Sequence, residues 1–270
     1  MPFGRITFTK HPTLSHGSKR LLSIRLLVIT WLTMLSLPVL SDTALKFVMQ
    51  DSAPKYLIKD GRVRGLCGDV YMALKSRLNA KGINVVITKE LLPIKRILMM
   101  VESGISDAYC GAGRNPKREE RFIYSTLPVY SVSNVVAAHE KELFIPQSFN
   151  DLSESKALVG ALLGTSSATF LKQQRGVVVD DQFHTLDNAL EVLAKNQFVR
   201  FFYYHDLGLN YLVPNSGLPL KVLPTKFRST PQWVIYSKQT RKDWRTILDE
   251  EISLMVNSGE MSAITQPYLQ

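Results

Sequence analysis

Cysteine is nearly missing from this chain, with two in 270 residues, Cys67 and Cys110. Two thiols so far apart cannot supply the four close-spaced ligands of a structural zinc site. They form either a disulfide or two separately buried thiols. Histidine is scarce as well. His11 and His16 fall in the first 41 residues, and His139, His184 and His205 are isolated from one another. Surface or packing roles suit those three better than metal or base roles. No Walker A loop, His-Glu-x-x-His or Gly-x-Ser-x-Gly motif occurs, and Gly111-x-Gly113 meets Pro116 where a dinucleotide fingerprint needs its third glycine. The expectation is a protein that is not an enzyme and uses neither cofactor nor metal. Internal repeats, low-complexity tracts and runs of five like charges are missing too. The aromatic residues sit in strand-like runs instead of interleaving with lysines, which excludes nucleic acid as a partner.

Acidic residues are lacking from positions 1–41, which carry Arg5, Lys10, Lys19, Arg20 and Arg25. An apolar core of about 15 residues follows, from Leu26 to Leu40, short of the ~20 that a membrane-spanning helix needs. Pro38 and the polar flank from Ser41 complete the pattern of a secretory leader at 1–41, cut after Ser41, with Val39 at the other recognition position. An uncleaved anchor is the alternative, and on either reading the rest is exported to the periplasm. Of the 33 basic residues five belong to the leader, so 28 face 23 acidic ones from Asp42 onward and the net charge falls from +10 to +5. That surplus is mild.

From residue 42 the pattern is a repeated strand–helix alternation. Residues 45–49 read as a strand, Asp60-Gly61 as a hairpin-like turn, 69–79 as an amphipathic helix and 83–88 as a β-branched strand. Pro93 opens a second helix with Ile94, Ile97, Leu98 and Val101 on one face, Gly104 stops it, and 106–110 is a third strand. Strands at 132–138, 157–163, 177–179 and 198–204 follow, with helices at 165–174 and 185–195. A late strand at 232–236 and a helix at 244–256 close the chain. This order predicts parallel sheets with helices on their faces, in two similar α/β halves with a ligand cleft between them. In a sheet ordered 2-1-3, Cys67 and Cys110 become neighbours within the ~4.4–6.8 Å Cα separation that a disulfide needs.

The stretch from Glu102 to Ser125 carries most of the functional signal. It reads as a helix end, a short buried strand and a glycine-bearing loop that delivers a cluster of arginines. Gly111 and Gly113 leave backbone N–H groups approachable, and Arg118 offers a planar donor fork suited to a carboxylate. Gly164-Thr165-Ser166 precedes a helix whose first N–H groups also favour a carboxylate.

In order and spacing, the chain resembles the periplasmic solute-binding proteins of family 3, the amino-acid-binding branch of the type II periplasmic binding fold. The resemblance rests on Pro54-Lys55-Tyr56, Asp60-Gly61, Gly65-Leu66-Cys67-Gly68-Asp69, Ser103-Gly104 through Asp107, Asn115-Pro116-Lys117-Arg118, Tyr124-Ser125, Leu127-Pro128, Gly164-Thr165-Ser166 and the segment from Gly259 to Tyr268. It implies two lobes joined by two strand crossovers: 42–137 as the first part of lobe 1, 138–231 as lobe 2, and 232–270 as the return crossover and last helices of lobe 1. It gives Arg118 the ligand carboxylate and Asp206 the ligand ammonium, with Asp206 as an ion-pair or capping residue as the alternative. Arg96, in Pro93-Ile94-Lys95-Arg96, either reaches the cleft or faces solvent. Tyr56 is either a cleft aromatic or a packing residue. Three departures speak against a standard α-amino acid: Asn196-Gln197-Phe198-Val199-Arg200 lacks the family's aspartate, Ser52 stands where relatives carry a stacking aromatic, and Lys117 replaces an acid. The implied function is binding of a small carboxylate-bearing solute, an amino acid or related polar compound or other organic anion, by a monomer, for delivery to an inner-membrane ABC permease. A stand-alone periplasmic sensor or accessory protein is the alternative.

Overall fold

The computed structural model describes residues 44–195 and 198–269. The leader at 1–41 and the Asn196-Gln197 part of the departure noted above lie outside the described residues. Among the described residues no helix is long and apolar enough to cross a membrane.

The first lobe begins with β1 (Ala44–Gln50), whose run of buried side chains is that of a strand covered on both faces. A two-stranded hairpin, β2 (Leu57–Lys59) and β3 (Arg62–Arg64), turns at Asp60 and Gly61, both with positive φ as a tight hairpin turn requires. Then come α1 (Leu66–Ala80), β4 (Asn84–Leu92), α2 (Ile94–Glu102) and β5 (Ala108–Ala112). β4 and β5 lie parallel to β1 on its two sides, so the sheet order is β4-β1-β5, the predicted 2-1-3 arrangement. Cys67 at the start of α1 and Cys110 in β5 are joined as a disulfide, with Cα atoms 5.8 Å apart.

After α3 (Pro116–Glu119) and β6 (Ile123–Tyr124), the strand β7 (Tyr130–His139) leaves the first lobe. Tyr130 and Val132 belong to the first lobe's core, whereas Val135 and Ala137 join one core of the second lobe and Val136 and Ala138 the other. That alternation is the period of two of a strand buried on both faces. The second lobe continues with α4 (Phe149–Glu154), β8 (Leu158–Leu162), α5 (Ser166–Leu171), β9 (Val178–Phe183), α6 (Leu186–Ala194), β10 (Val199–His205), α7 (Asp206–Asn215) and β11 (Leu220–Val222). β12 (Arg228–Tyr236) carries the chain back. It pairs with β7 over residues 228–232 and then, from Trp233, with β5 and β6. β7 and β12 therefore form the two crossovers between lobes.

Two last helices, α8 (Lys242–Asn257) and α9 (Glu260–Thr265), return to α1. The buried Glu251 on α8 accepts from Arg77 at 2.9 Å and pairs with Lys81 at 2.8 Å, so its charge is compensated on both sides.

The structure extends several predicted elements and adds others. The predicted helix at 69–79 starts three residues earlier, at Leu66, after Gly65 at φ 94°. The strand predicted at 177–179 becomes β9, reaching Phe183 through Asp180, Asp181 and Gln182, because an edge strand can turn polar side chains to water. The helix predicted at 165–174 shortens to α5. α7 was not predicted; Pro214 near its end masks the helical pattern.

Candidate functional site

The lobes meet in a cleft beside the crossover strands. From the first lobe its walls are Gln50, Lys55, Ile94, Tyr109, Gly111, Gly113 and Arg118, and from the second Thr165, Ser166, Ser167, Tyr204 and His205. Val132 and Gln232, on the two crossovers, complete it. The walls are closed on each other, leaving a cavity of about 30 Å³. A Cβ on Gly113 would stand 2.2 Å from Ser166 Oγ, so only glycine permits this approach across the cleft. Gly111, at φ 90°, likewise yields its space to the Tyr130 hydroxyl and the Lys55 stem.

Arg118 is 5% exposed. Asn115 caps α3 by accepting from the Arg118 backbone N–H at 3.0 Å, which aims the side chain inward. The guanidinium donates from Nη1 to the Gly113 carbonyl and from Nη2 to the Gly164 carbonyl, both at 2.9 Å. One donor fork thus holds one carbonyl on each lobe. The Tyr124 hydroxyl donates to the same Gly113 carbonyl at 3.2 Å. Burial lowers the Arg118 pKa, but an arginine stays charged in any protein setting.

Lys55 is 4% exposed. Its Nζ donates to Gln50 Oε1 at 2.8 Å and to the Tyr109 hydroxyl at 3.3 Å. The Tyr109 hydroxyl donates to the same Gln50 Oε1 at 2.5 Å. Among the described residues no carboxylate bonds this ammonium. Burial first, and the Arg118 charge second, bring its pKa down to about 7. Across the cleft the His205 ring stacks on Tyr204 with centroids 3.8 Å apart. His205 Nδ1 accepts from the Gly208 N–H at 3.0 Å, capping α7. Burial and the Lys55 charge hold the ring's pKa well below its usual value, so the ring is neutral and its one proton sits on Nε2. That Nε2–H is buried and has no protein acceptor.

Of the residues predicted for the site, Arg118, Gly111, Gly113, Thr165 and Ser166 are gathered at the cleft. Thr165 is committed locally: its hydroxyl donates to the Leu162 carbonyl at 2.8 Å and accepts from the Ala168 N–H at 3.1 Å as the cap of α5. Three others sit elsewhere. Tyr56 lies in the first-lobe core, fully buried, and donates to the Cys110 carbonyl at 2.8 Å, which is the packing alternative. Asp206 opens α7 away from the cleft, accepting from the Ser133 and Leu207 N–H groups at 3.0 and 2.8 Å, and lines a separate groove with Pro54 and Tyr268. Arg96 is exposed on an outer groove with Lys95 and Lys117. Sequence reasoning missed Lys55, Gln50, Tyr109, Tyr204 and His205. No periodic pattern marked Lys55, because Pro54, Lys55 and Tyr56 lie in a turn, where the side chains that face inward are set by the surrounding fold.

The description of bacterial extracellular solute-binding proteins, family 3, matches residues 45–270. No curated protein sequence matches this chain significantly. Solved structures of similar fold include the P235GK mutant of ArgBP from T. maritima, at 16% identity and TM-score 0.69, covering 83% of this chain and 94% of that one. Another is AbpA, an amino acid ABC transporter substrate-binding protein from Streptococcus pneumoniae bound to L-arginine, at 21% identity and TM-score 0.69, covering 84% and 94%. A third is ArtJ from Geobacillus stearothermophilus, an arginine-, lysine-, histidine-binding protein, at 18% identity and TM-score 0.68, again covering 84% and 94%. At these identities the likeness establishes the two-lobed periplasmic binding fold.

Proposed function

The chain belongs to the bacterial extracellular solute-binding proteins, family 3, and from that premise we propose that it captures a small carboxylate-bearing solute in the periplasm and delivers it to an ABC-type importer. The observation that carries this reading is Arg118. A permanently charged fork, buried between the lobes and bonded to a carbonyl on each, is suited to a carboxylate that bridges them. The solute enters when β7 and β12 flex and the lobes part, and the lobes then close on it as a hinge. The guanidinium N–H groups not spent on Gly113 and Gly164 take the carboxylate. Export depends on the leader at 1–41, cut after Ser41. Binding without turnover is part of the proposal.

Mass spectrometry of solute released by denaturing protein from a periplasmic extract tests the reading. A stoichiometric carboxylic acid is the expected result, and an uncharged sugar or a cation without a carboxylate would overturn it. Uptake of that solute by cells with and without this protein tests delivery. Unchanged uptake would reassign the protein to stand-alone sensing.

A further inference from the structure

Resting on the carboxylate reading above, we infer that the solute is a short organic acid without an ammonium group, such as an oxo-acid, a hydroxy-acid or a small dicarboxylate, held by Arg118, Lys55 and His205. The charges facing the cleft carry the argument. Two buried cations line it, and among the described residues no aspartate or glutamate does. Asp206, the acid that could have met an ammonium, spends an oxygen on backbone N–H groups outside the cleft. A ligand ammonium would enter a buried site beside Lys55 and Arg118 with no protein counter-charge, which is strongly unfavourable.

The hydrogen-bonding groups point the same way. Lys55 spends two donor bonds on Gln50 and Tyr109, leaving its third ammonium proton for a ligand. The His205 Nε2–H, buried and without a protein acceptor, supplies another donor on the opposite wall. A site of this kind, rich in donors and poor in acceptors, suits a second carboxylate, a keto oxygen or a hydroxyl. Outside the cleft, Lys95, Arg96, Lys117 and Arg121 line the groove that shares Arg118, and among the described residues no acidic one lines it; Arg121 is itself paired with Glu102. A basic approach of this kind raises the local concentration of anions.

Matched pairs isolate the ammonium group. The protein, expressed with its own leader and freed of bound solute, is titrated calorimetrically with pyruvate, lactate, succinate and 2-oxoglutarate, and with alanine, glutamate, glutamine and arginine. At least one of the four acids should bind, and about tenfold or more tighter than every amino acid. An amino acid that binds as tightly as the best acid overturns the inference and leaves the carboxylate reading standing. Failure of all eight overturns both. Lys55→Met should weaken the best acid by about tenfold or more. Because Lys55 is buried and that variant can fail to fold, the parent provides a second readout. Titration near about pH 8 in two buffers of different ionisation enthalpy should register proton uptake as Lys55 becomes fully charged against the acid. Binding with no proton uptake would remove Lys55 from the site.

Discussion

Lys55 makes the stability of the ligand-free protein depend on pH in a direction opposite to that of most buried acids. Its pKa falls from 10.5 in the unfolded chain to about 7 in the fold, through burial and the nearby Arg118 charge. Below about pH 7 both states hold the proton and the fold bears the full cost of an uncompensated ammonium. As pH rises through the folded pKa toward 10.5, the fold releases the proton before the unfolded chain does, so stability increases. The slope is about 1.4 kcal/mol per pH unit, giving roughly 2–3 kcal/mol between about pH 6 and about pH 9. The groups around it are Tyr109, Tyr204, His205 and Arg118. In the fold Tyr109 and Tyr204 have raised pKa values, His205 is neutral and Arg118 stays charged, so none of them changes charge within this interval, and the unfolded-state titration of His205 cancels when parent and variant are compared. The assay is urea unfolding of the parent and of Lys55→Met across that range. The parent should gain roughly 2–3 kcal/mol relative to the variant as pH rises. Parallel stability curves would refute the reasoning and place the Lys55 ammonium in contact with water.

Three further outcomes are expected. Arg118→Ala removes charged donor bonds to Gly113 and Gly164, each worth about 1.5–3 kcal/mol, so the lobes should rest open, seen as a larger radius of gyration in solution scattering. Affinity for the best of the titrated acids should fall by about 2–5 kcal/mol, with Arg118→Lys restoring only part. Reducing the Cys67–Cys110 bond, which closes a loop of 43 residues, should lower unfolding stability by about 4 kcal/mol in chain-entropy terms, and equal urea midpoints with and without reductant would contradict this. Thr165→Val should cost about 1 kcal/mol of stability as a lost helix cap, with a smaller effect on acid binding, because its hydroxyl is bonded to Leu162 and Ala168.

What the sequence disclosed and what it hid follow from one distinction, between information carried by runs and information carried by pairings. The strand order β4-β1-β5 and the Cys67–Cys110 contact were legible because apolar strands alternating with amphipathic helices admit few arrangements. Gly111, Gly113 and Arg118 were legible because two glycines and an arginine beside a buried strand are unusual wherever they occur. Lys55 was not, because a lone lysine next to Pro54 and Tyr56 looks like surface until β1, β5 and α1 close around it. The sequence favoured Tyr56 as the aromatic of the pair, yet the chain turns Tyr56 into the core to bond Cys110 and leaves Lys55 to face the cleft. His205 was hidden for the same reason: its role depends on Tyr204 beneath it and Lys55 opposite, which are distant in sequence. One of the three departures, Ser52, therefore has a structural counterpart. Ser52 leaves room for the Tyr204 hydroxyl at 3.3 Å, and that contact brings Tyr204 and the adjoining His205 against the floor where Lys55 lies.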